Sequence, residues 1–471
     1  MRKQNKSKNG NWIKKMAETH EEKFRRMTEE PVGKLIGKLA VPCIISMLVT
    51  SFYNMADTFF VGQLKSNSAT GAVGVVFSIM AIIQAVGFFF GHGSGNYISR
   101  ELGKKNYDEA EKMAATGFIT AFAAGVLIML VGEIFLEELA YLLGSTETIL
   151  PYTMDYLKAI LLGAPWITTS FVLNNQLRFQ GNASYAMVGI TFGAVLNIAL
   201  DPVLIFVFDM GIAGAGYATV ISQFASFCVL IYGMQKRGNV KLHFSNIRLN
   251  WFYFKNIFGG GFPSLARQGL ASVATISLNH AAGPYGDAVI AAMGVVQRIA
   301  MFGASTMIGF GQGFQPFCGF NYGAGLYKRV KEGFYFCVKT SAVFLFVIAA
   351  AGFVFAPDII AVFRDDPDVI RIGTLAMRLQ CVTFASHSWI VLSNMMTQVI
   401  GRTVPATFLA TARQGLFFIP AVLILSELFG VIGIQLAQPI ADVGTLLCAI
   451  PIQLKILKET DSKIIPEKEN T

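Results

Sequence analysis

Twelve apolar segments, each long enough to cross a bilayer and separated by short polar loops, constrain this chain more than any other feature. They fall near residues 35–61, 68–92, 112–136, 148–174, 184–207, 212–234, 257–282, 287–318, 334–356, 368–396, 404–427 and 430–454. Spanning a bilayer takes about 20 apolar residues, and within hydrocarbon each backbone polar group must bond inside its own segment. The sequence therefore predicts an all-α integral membrane protein with twelve transmembrane helices. Composition agrees, since 14% of residues are charged against roughly 25% in soluble domains.

Basic residues give the bundle a direction. With a cytoplasmic N-terminus, 29 of the 38 Lys and Arg residues fall on the cytoplasmic side, in the arm through Lys38, alternate loops and the tail. Three (Lys65, Arg364 and Arg371) fall on the other side, and six lie within segments. That bias follows the positive-inside rule and puts both termini in the cytoplasm. It also explains the net charge of +9 without nucleic acid. The polar, basic start differs from the apolar core of a signal peptide. The six cysteines lack paired or metal-ligand spacing and read as small apolar side chains.

The two halves repeat at an offset of about 220 residues. Pro42 aligns with Pro263, Gly91 and Gly93 with Gly311 and Gly313, Gly181 with Gly401, and Gly211 with Gly430. Six crossings per half orient both halves alike, so the expected architecture is two six-helix lobes related by a pseudo-two-fold axis along the membrane normal. A cavity is expected between them. The predicted organisation is a basic N-terminal arm (1–34), an N-lobe (35–234), a cytoplasmic linker (235–256), a C-lobe (257–454) and a cytoplasmic tail (455–471). Repeats around a cavity suit a secondary transporter working by alternating access.

Asp57 is the only charged side chain between Lys38 and Lys65, and an ionised acid in hydrocarbon costs several kcal/mol. Asp57 lies eight residues before Lys65, and Asp201 lies eight before Asp209. Both sit ~12 Å inside the outer boundary. Asn197 shares a helical face with Asp201, and Thr219 enters the next segment at similar depth. Two carboxylates, an amide and a hydroxyl in one layer suit Na+, held by Asp57 and Asp201, or a proton. The alternative reading of each acid is a hydrogen bond between helices, or contact with outer-leaflet water. Pro202 favours a locally broken helix, and Pro42 lets the first segment bend.

In the C-lobe the clearest deep acid is Asp442, expected to pair with Arg267, Arg298 or Arg413. Asn279 and Gln312 are further candidates for a substrate cavity or polar network. Gly87, Gly91 and Gly95 form a small-residue stripe suited to close helix packing. GKLIGK at 33–38 lacks the spacing and hydroxyl of a phosphate loop, and no hydrolase motif appears, so an enzyme is not expected.

The pattern Pro42–Asp57–Gly62, with ELGKKNYDEAEK at 101–112, LNIALDP at 196–202 and GFGQGFQPFCGFNYGAG at 309–325, resembles the multidrug and toxic compound extrusion (MATE) family over nearly the whole chain. The likeness is to its bacterial DinF-like and MepA-like branch. The resemblance implies Na+- or H+-coupled antiport of lipophilic and often cationic compounds, with no cofactor beyond the coupling ion. It also implies that Asp57, Asp201, Asn197, Thr219 and Tyr156 occupy the cation-site positions. Other branches carry an acid in the seventh segment; here that region reads FPSLARQGLASVATISLNH and has none, so no second-lobe cation site carries over. The expected setting is a bacterial plasma membrane, with amphiphilic small molecules and lipids as partners and a functional monomer. A flippase for a lipid-linked precursor is the alternative, because its cavity would need cations such as the C-lobe arginines.

Overall fold

The computed structural model describes residues 19–64 and 67–463. The first 18 residues of the predicted arm, Lys65, and the end of the predicted tail lie outside the described residues. The described part is helical, with no strand. A short helix α1 (His20–Glu29) precedes α2 (Val32–Gly62), α3 (Asn67–Gly103), α4 (Tyr107–Ile134), α5 (Leu136–Leu142), α6 (Leu150–Phe179), α7 (Ala183–Pro202) and α8 (Gly211–Arg237). The second half holds α9 (Trp251–Ala282), α10 (Asp287–Gly323), α11 (Tyr327–Val354), α12 (Ala356–Phe363), α13 (Pro367–Phe384), α14 (His387–Val399), α15 (Thr403–Thr411), α16 (Ile419–Phe429) and α17 (Val431–Asp461). Among the described residues, ten helical stretches are long and apolar enough to cross a membrane. The seventh and tenth apolar segments correspond to α9 and to the broken pair α13–α14. That break falls at Ala385–Ser386, where the Ser386 hydroxyl donates back to the Thr383 carbonyl at 2.6 Å and competes with helix continuation.

The repeat recurs in backbone geometry. Left-handed φ values occur at Lys105 and Gly325, at Gly181 and Gly401, and at Gly211 and Gly430. Asn106 donates its N–H to the Glu101 carbonyl at 2.9 Å, and Leu326 donates to Asn321 at 2.8 Å. The Asn174 amide caps the Ala186 carbonyl at 3.0 Å, as Asn394 caps Ala406 at 2.7 Å. Two lobes with matching turns follow, α2–α8 and α9–α17.

Small residues bring the lobes together at the end that carries the basic loops. A Cβ on Gly93 would lie 2.3 Å from the Ile257 carbonyl oxygen, and one on Gly261 would lie 2.1 Å from that of Phe89. Gly313 packs on Ala40, and Gly323 on the Arg100 carbonyl. Toward the opposite end, the repeat mates Gly74 and Gly294 face open space. The lobes thus rest backbone on backbone at the basic end. Within the N-lobe, Gly87, Gly91 and Gly95 seat Phe171, Asn175 and Phe179 of α6, so the stripe packs α3 against α6.

The helices run further than the apolar segments. The predicted tail begins at residue 455, yet α17 continues to Asp461 because its charged end is tied down. Lys331 pairs with Asp461 at 2.7 Å, Arg402 with Glu459 at 2.6 Å, and Lys463 donates to the Tyr322 hydroxyl at 3.0 Å. At the chain's start, α1 lies against the C-lobe, where the Asn321 amide donates to the Met27 carbonyl at 3.0 Å.

These contacts predict opposite outcomes at two glycines of α3. Gly93→Val inserts atoms where backbone already sits and should destabilise by about 1–3 kcal/mol. Gly74→Val meets open space and should leave the thermal unfolding midpoint of the purified protein in detergent nearly unchanged.

Candidate functional site: an acid pair in the N-lobe

Helical spacing assembles the site. On α2, Thr50, Tyr53 and Asp57 recur at intervals of three and four, which puts them on one face. On α7, Asn197 and Asp201 are one turn apart. Pro202 carries no N–H for the Ile198 carbonyl, and the backbone then widens into a π turn over Val203–Val207. α6 supplies Tyr156 and α8 supplies Thr219.

The structure brings these groups together. The Tyr156 hydroxyl donates to Asp57 Oδ2 at 3.2 Å. Asn197 Nδ2 donates to Asp201 Oδ1 at 3.2 Å and reaches Thr219 Oγ1 at 3.5 Å. The two carboxylates are close enough for their charges to interact, and both act on Tyr53 and Tyr156. All five predicted cation-site residues are buried, with Asp57 at 8% exposure and Asp201 at 0%.

Three oxygens are left over. Asp57 Oδ1, Asp201 Oδ2 and Asn197 Oδ1 are buried without a hydrogen-bond partner. Among the described residues, no ion pair includes either acid, and no group of three or more His, Cys, Asp or Glu could hold a resident metal. Two buried like charges without a counter-ion are unfavourable. A proton, or a hard monovalent cation bound by oxygens, would compensate them.

An open cavity adjoins this cluster. Asn197 and Thr219 are in its wall, beside Thr50, Tyr53, Gln84 and Ser222, with Phe77, Met80, Phe171 and Ile190 forming apolar surface. It lies within the N-lobe, not between the lobes where repeat symmetry suggested a cavity. Tyr53 was not singled out from the sequence, although its position one turn before Asp57 was a usable signal.

The C-lobe acid has the opposite surroundings. Arg413 Nε donates to Asp442 Oδ1 at 2.8 Å, Gln438 to the same oxygen at 2.9 Å, and the Thr383 hydroxyl to Oδ2 at 3.1 Å. His387 Nε2 lies 3.1 Å from Oδ2. This cluster ties α13, α14 and α17 to the π turn at Ala412–Phe418. Arg267 is not part of it and donates to Asn394 Oδ1 at 3.2 Å. Asn279 and Arg298 are exposed and join neither cluster. Gln312 lines a second, inner cavity. Pro42 lies inside α2, whose helix continues through it.

The fourth apolar segment ends at 174, which leaves Arg178 outside it, among the basic residues counted on the cytoplasmic side. The structure corrects this: α6 runs to Phe179, and Arg178 in its last turn is 2% exposed.

Comparison with known proteins adds the relatives. The family model described as MatE matches twice, at residues 42–203 and 263–424, beginning at the repeat mates Pro42 and Pro263. The multidrug export protein MepA of Staphylococcus aureus (strain MSSA476) is 27% identical over 450 residues, 95% of this chain and 99% of that protein. MepA of Staphylococcus saprophyticus is 28% identical over the same coverage. A crystal structure of MATE in the bent conformation aligns with TM-score 0.88 at 23% identity over 95% of this chain and 99% of its own. An outward-facing multidrug resistance MATE family transporter aligns with TM-score 0.87 at 23% identity over 93% and 98%.

The two acid environments predict opposite stability effects. Asp442→Asn leaves Arg413 without its counter-ion and should cost about 3–5 kcal/mol, seen as lower yield and a lower unfolding midpoint. Asp57→Asn and Asp201→Asn remove unpaired charges and should leave that midpoint unchanged or higher.

Proposed function

Since the chain belongs to the MatE family, we propose that it is a cation-coupled exporter of amphiphilic, typically cationic, small molecules. In this reading Asp57 and Asp201 jointly hold the coupling ion, Na+ or H+. The single observation that carries it is the unmet acceptor set: Asp57 Oδ1, Asp201 Oδ2 and Asn197 Oδ1 are buried without a hydrogen-bond partner, and no ion pair among the described residues includes either acid. Naming MepA a multidrug export protein supports a drug-like cargo.

A carboxylate pair that bonds one cation weakly and releases it can exchange that cation for cargo. A cationic cargo in the adjoining cavity lowers the affinity of the acids for a second positive charge, and the reverse holds by linkage. Asn197 and Thr219 lie in both the acid cluster and the cavity wall, so occupancy of either is felt by the other. Tyr156 steadies Asp57 from α6 through its hydroxyl. Ion binding on α2 favours one arrangement of that helix against α10, its neighbour in the other lobe, and Pro42 removes one ladder bond where α2 must yield.

With the basic loops in the cytoplasm, the lobe contacts at Gly93, Gly261 and Gly313 form a closed inner gate, and the cavity opens outward. Release of cargo and reloading with cation belong to this state. The flippase reading has less support. Arg413 is committed to Asp442, and Arg298 lies outside both cavities.

Proteoliposomes with Na+ and pH gradients imposed separately test the proposal. Efflux of a lipophilic cation such as ethidium should follow one of the gradients. Asp57→Asn and Asp201→Asn, reconstituted at equal density, should each lower gradient-driven efflux at least tenfold. Efflux undiminished in either variant would count heavily against the assignment.

A further inference from the structure

A second, smaller cavity lies toward the basic end and shares Thr50, Gln84, Phe171 and Ile190 with the first. We propose that this inner cavity is a monoanion site with the Arg178 guanidinium as its floor.

Arg178 lines the cavity and is almost fully buried. Its Nη2 donates to Asn175 Oδ1 and contacts His92 Nε2 at 3.2 Å, and the Cys43 thiol lies beside it. None of these neighbours is a carboxylate. Nε and Nη1 have no hydrogen-bond partner. Arg267, of the same sign and from the opposite lobe, adds its positive charge to the surroundings of both Arg178 and His92. Ser264 Oγ, 3.1 Å from His92 Nδ1, continues the cluster into the C-lobe without adding an acid.

A buried guanidinium without an anion is costly, and a second cation across the boundary adds to the cost. One anion in the inner cavity answers both. The planar fork of Arg178 suits a carboxylate or halide, and the side-chain amides of Gln84 and Gln312 reach the same cavity from α3 and α10. Because Arg178 lines this cavity from the N-lobe and Gln312 lines it from the C-lobe, an anion that meets both ties the lobes together at the closed end. Its source is either a free halide or the carboxylate of an amphiphilic cargo that spans both cavities. This inference does not depend on the coupling role of Asp57 and Asp201.

The test is calorimetric titration and thermal unfolding of the purified full-length protein in detergent, with the bulky sulfonate MES as the ionic-strength control. Sodium chloride and sodium decanoate are the probes. The proposal expects a saturable rise in the unfolding midpoint, lost in Arg178→Gln and retained in part in Arg178→Lys. Comparable affinity for chloride and decanoate identifies a halide site, and decanoate binding at least tenfold tighter identifies a cargo carboxylate. If Arg178→Gln does not fold, Arg267→Gln substitutes, with anion affinity expected to fall several-fold. Equal responses to chloride, decanoate and MES in the wild type would overturn the proposal. So would an anion response in Arg178→Gln, or in Arg267→Gln where it substitutes, that matches wild type.

Discussion

Two interacting carboxylates buried out of water, without a positive partner among the described residues, are the feature on which the rest depends. At Asp57 and Asp201 the protein supplies one tyrosine hydroxyl and one amide, and leaves two carboxylate oxygens and an amide oxygen unmet. In the C-lobe it does the reverse, surrounding Asp442 with a guanidinium, an imidazole, an amide and a hydroxyl. The same residue type is thus a paired structural tie in one lobe and a buried acceptor with unmet oxygens in the other. Two copies of one fold have diverged by what they place around an acid.

Close packing turns that local imbalance into something a lobe can transmit. Where α3 meets α9 and α2 meets α10, glycines let backbone rest on backbone, and a single added carbon would collide. Such an interface has few intermediate positions, because atoms at van der Waals contact either stay or separate. Near the other end, Gly74 and Gly294 touch nothing. The acids lie on α2 and α7, and α2 is also a principal helix of the lobe interface. In the proposed cycle a change of charge on α2 acts on a helix packed backbone to backbone against the other lobe, the kind of element that alternating access has to move.

Much of this was legible in the sequence, for reasons that can be named. The spans follow from the length of the apolar segments. The repeat follows from constant offset, and it returns as matched left-handed turns at 181 and 401. The layer of Asp57, Asn197, Asp201 and Thr219 follows from counting residues inward from the loops, since helix rise converts number into depth. What counting could not reach was helix facing. Membrane helices are apolar on every side, so hydropathy could not tell that Asn279 and Arg298 point away from both clusters while Tyr53 points toward one. Arg178 was misplaced because helix α6 continues five residues past its apolar run, to seat a guanidinium among polar groups that other helices provide. Counter-ions come from tertiary contact, so Arg413 as the partner of Asp442 had to be chosen among three arginines.

The most direct measurement is cation displacement from purified protein in detergent, without a membrane or gradient. Bound 22Na+ and released protons are followed while a lipophilic cation is titrated in. The account predicts that binding expels a fixed complement of Na+ or protons, and that the Asp57→Asn/Asp201→Asn double variant expels none. Cargo binding that expels no cation from the wild type, or the same number from the double variant, would contradict it.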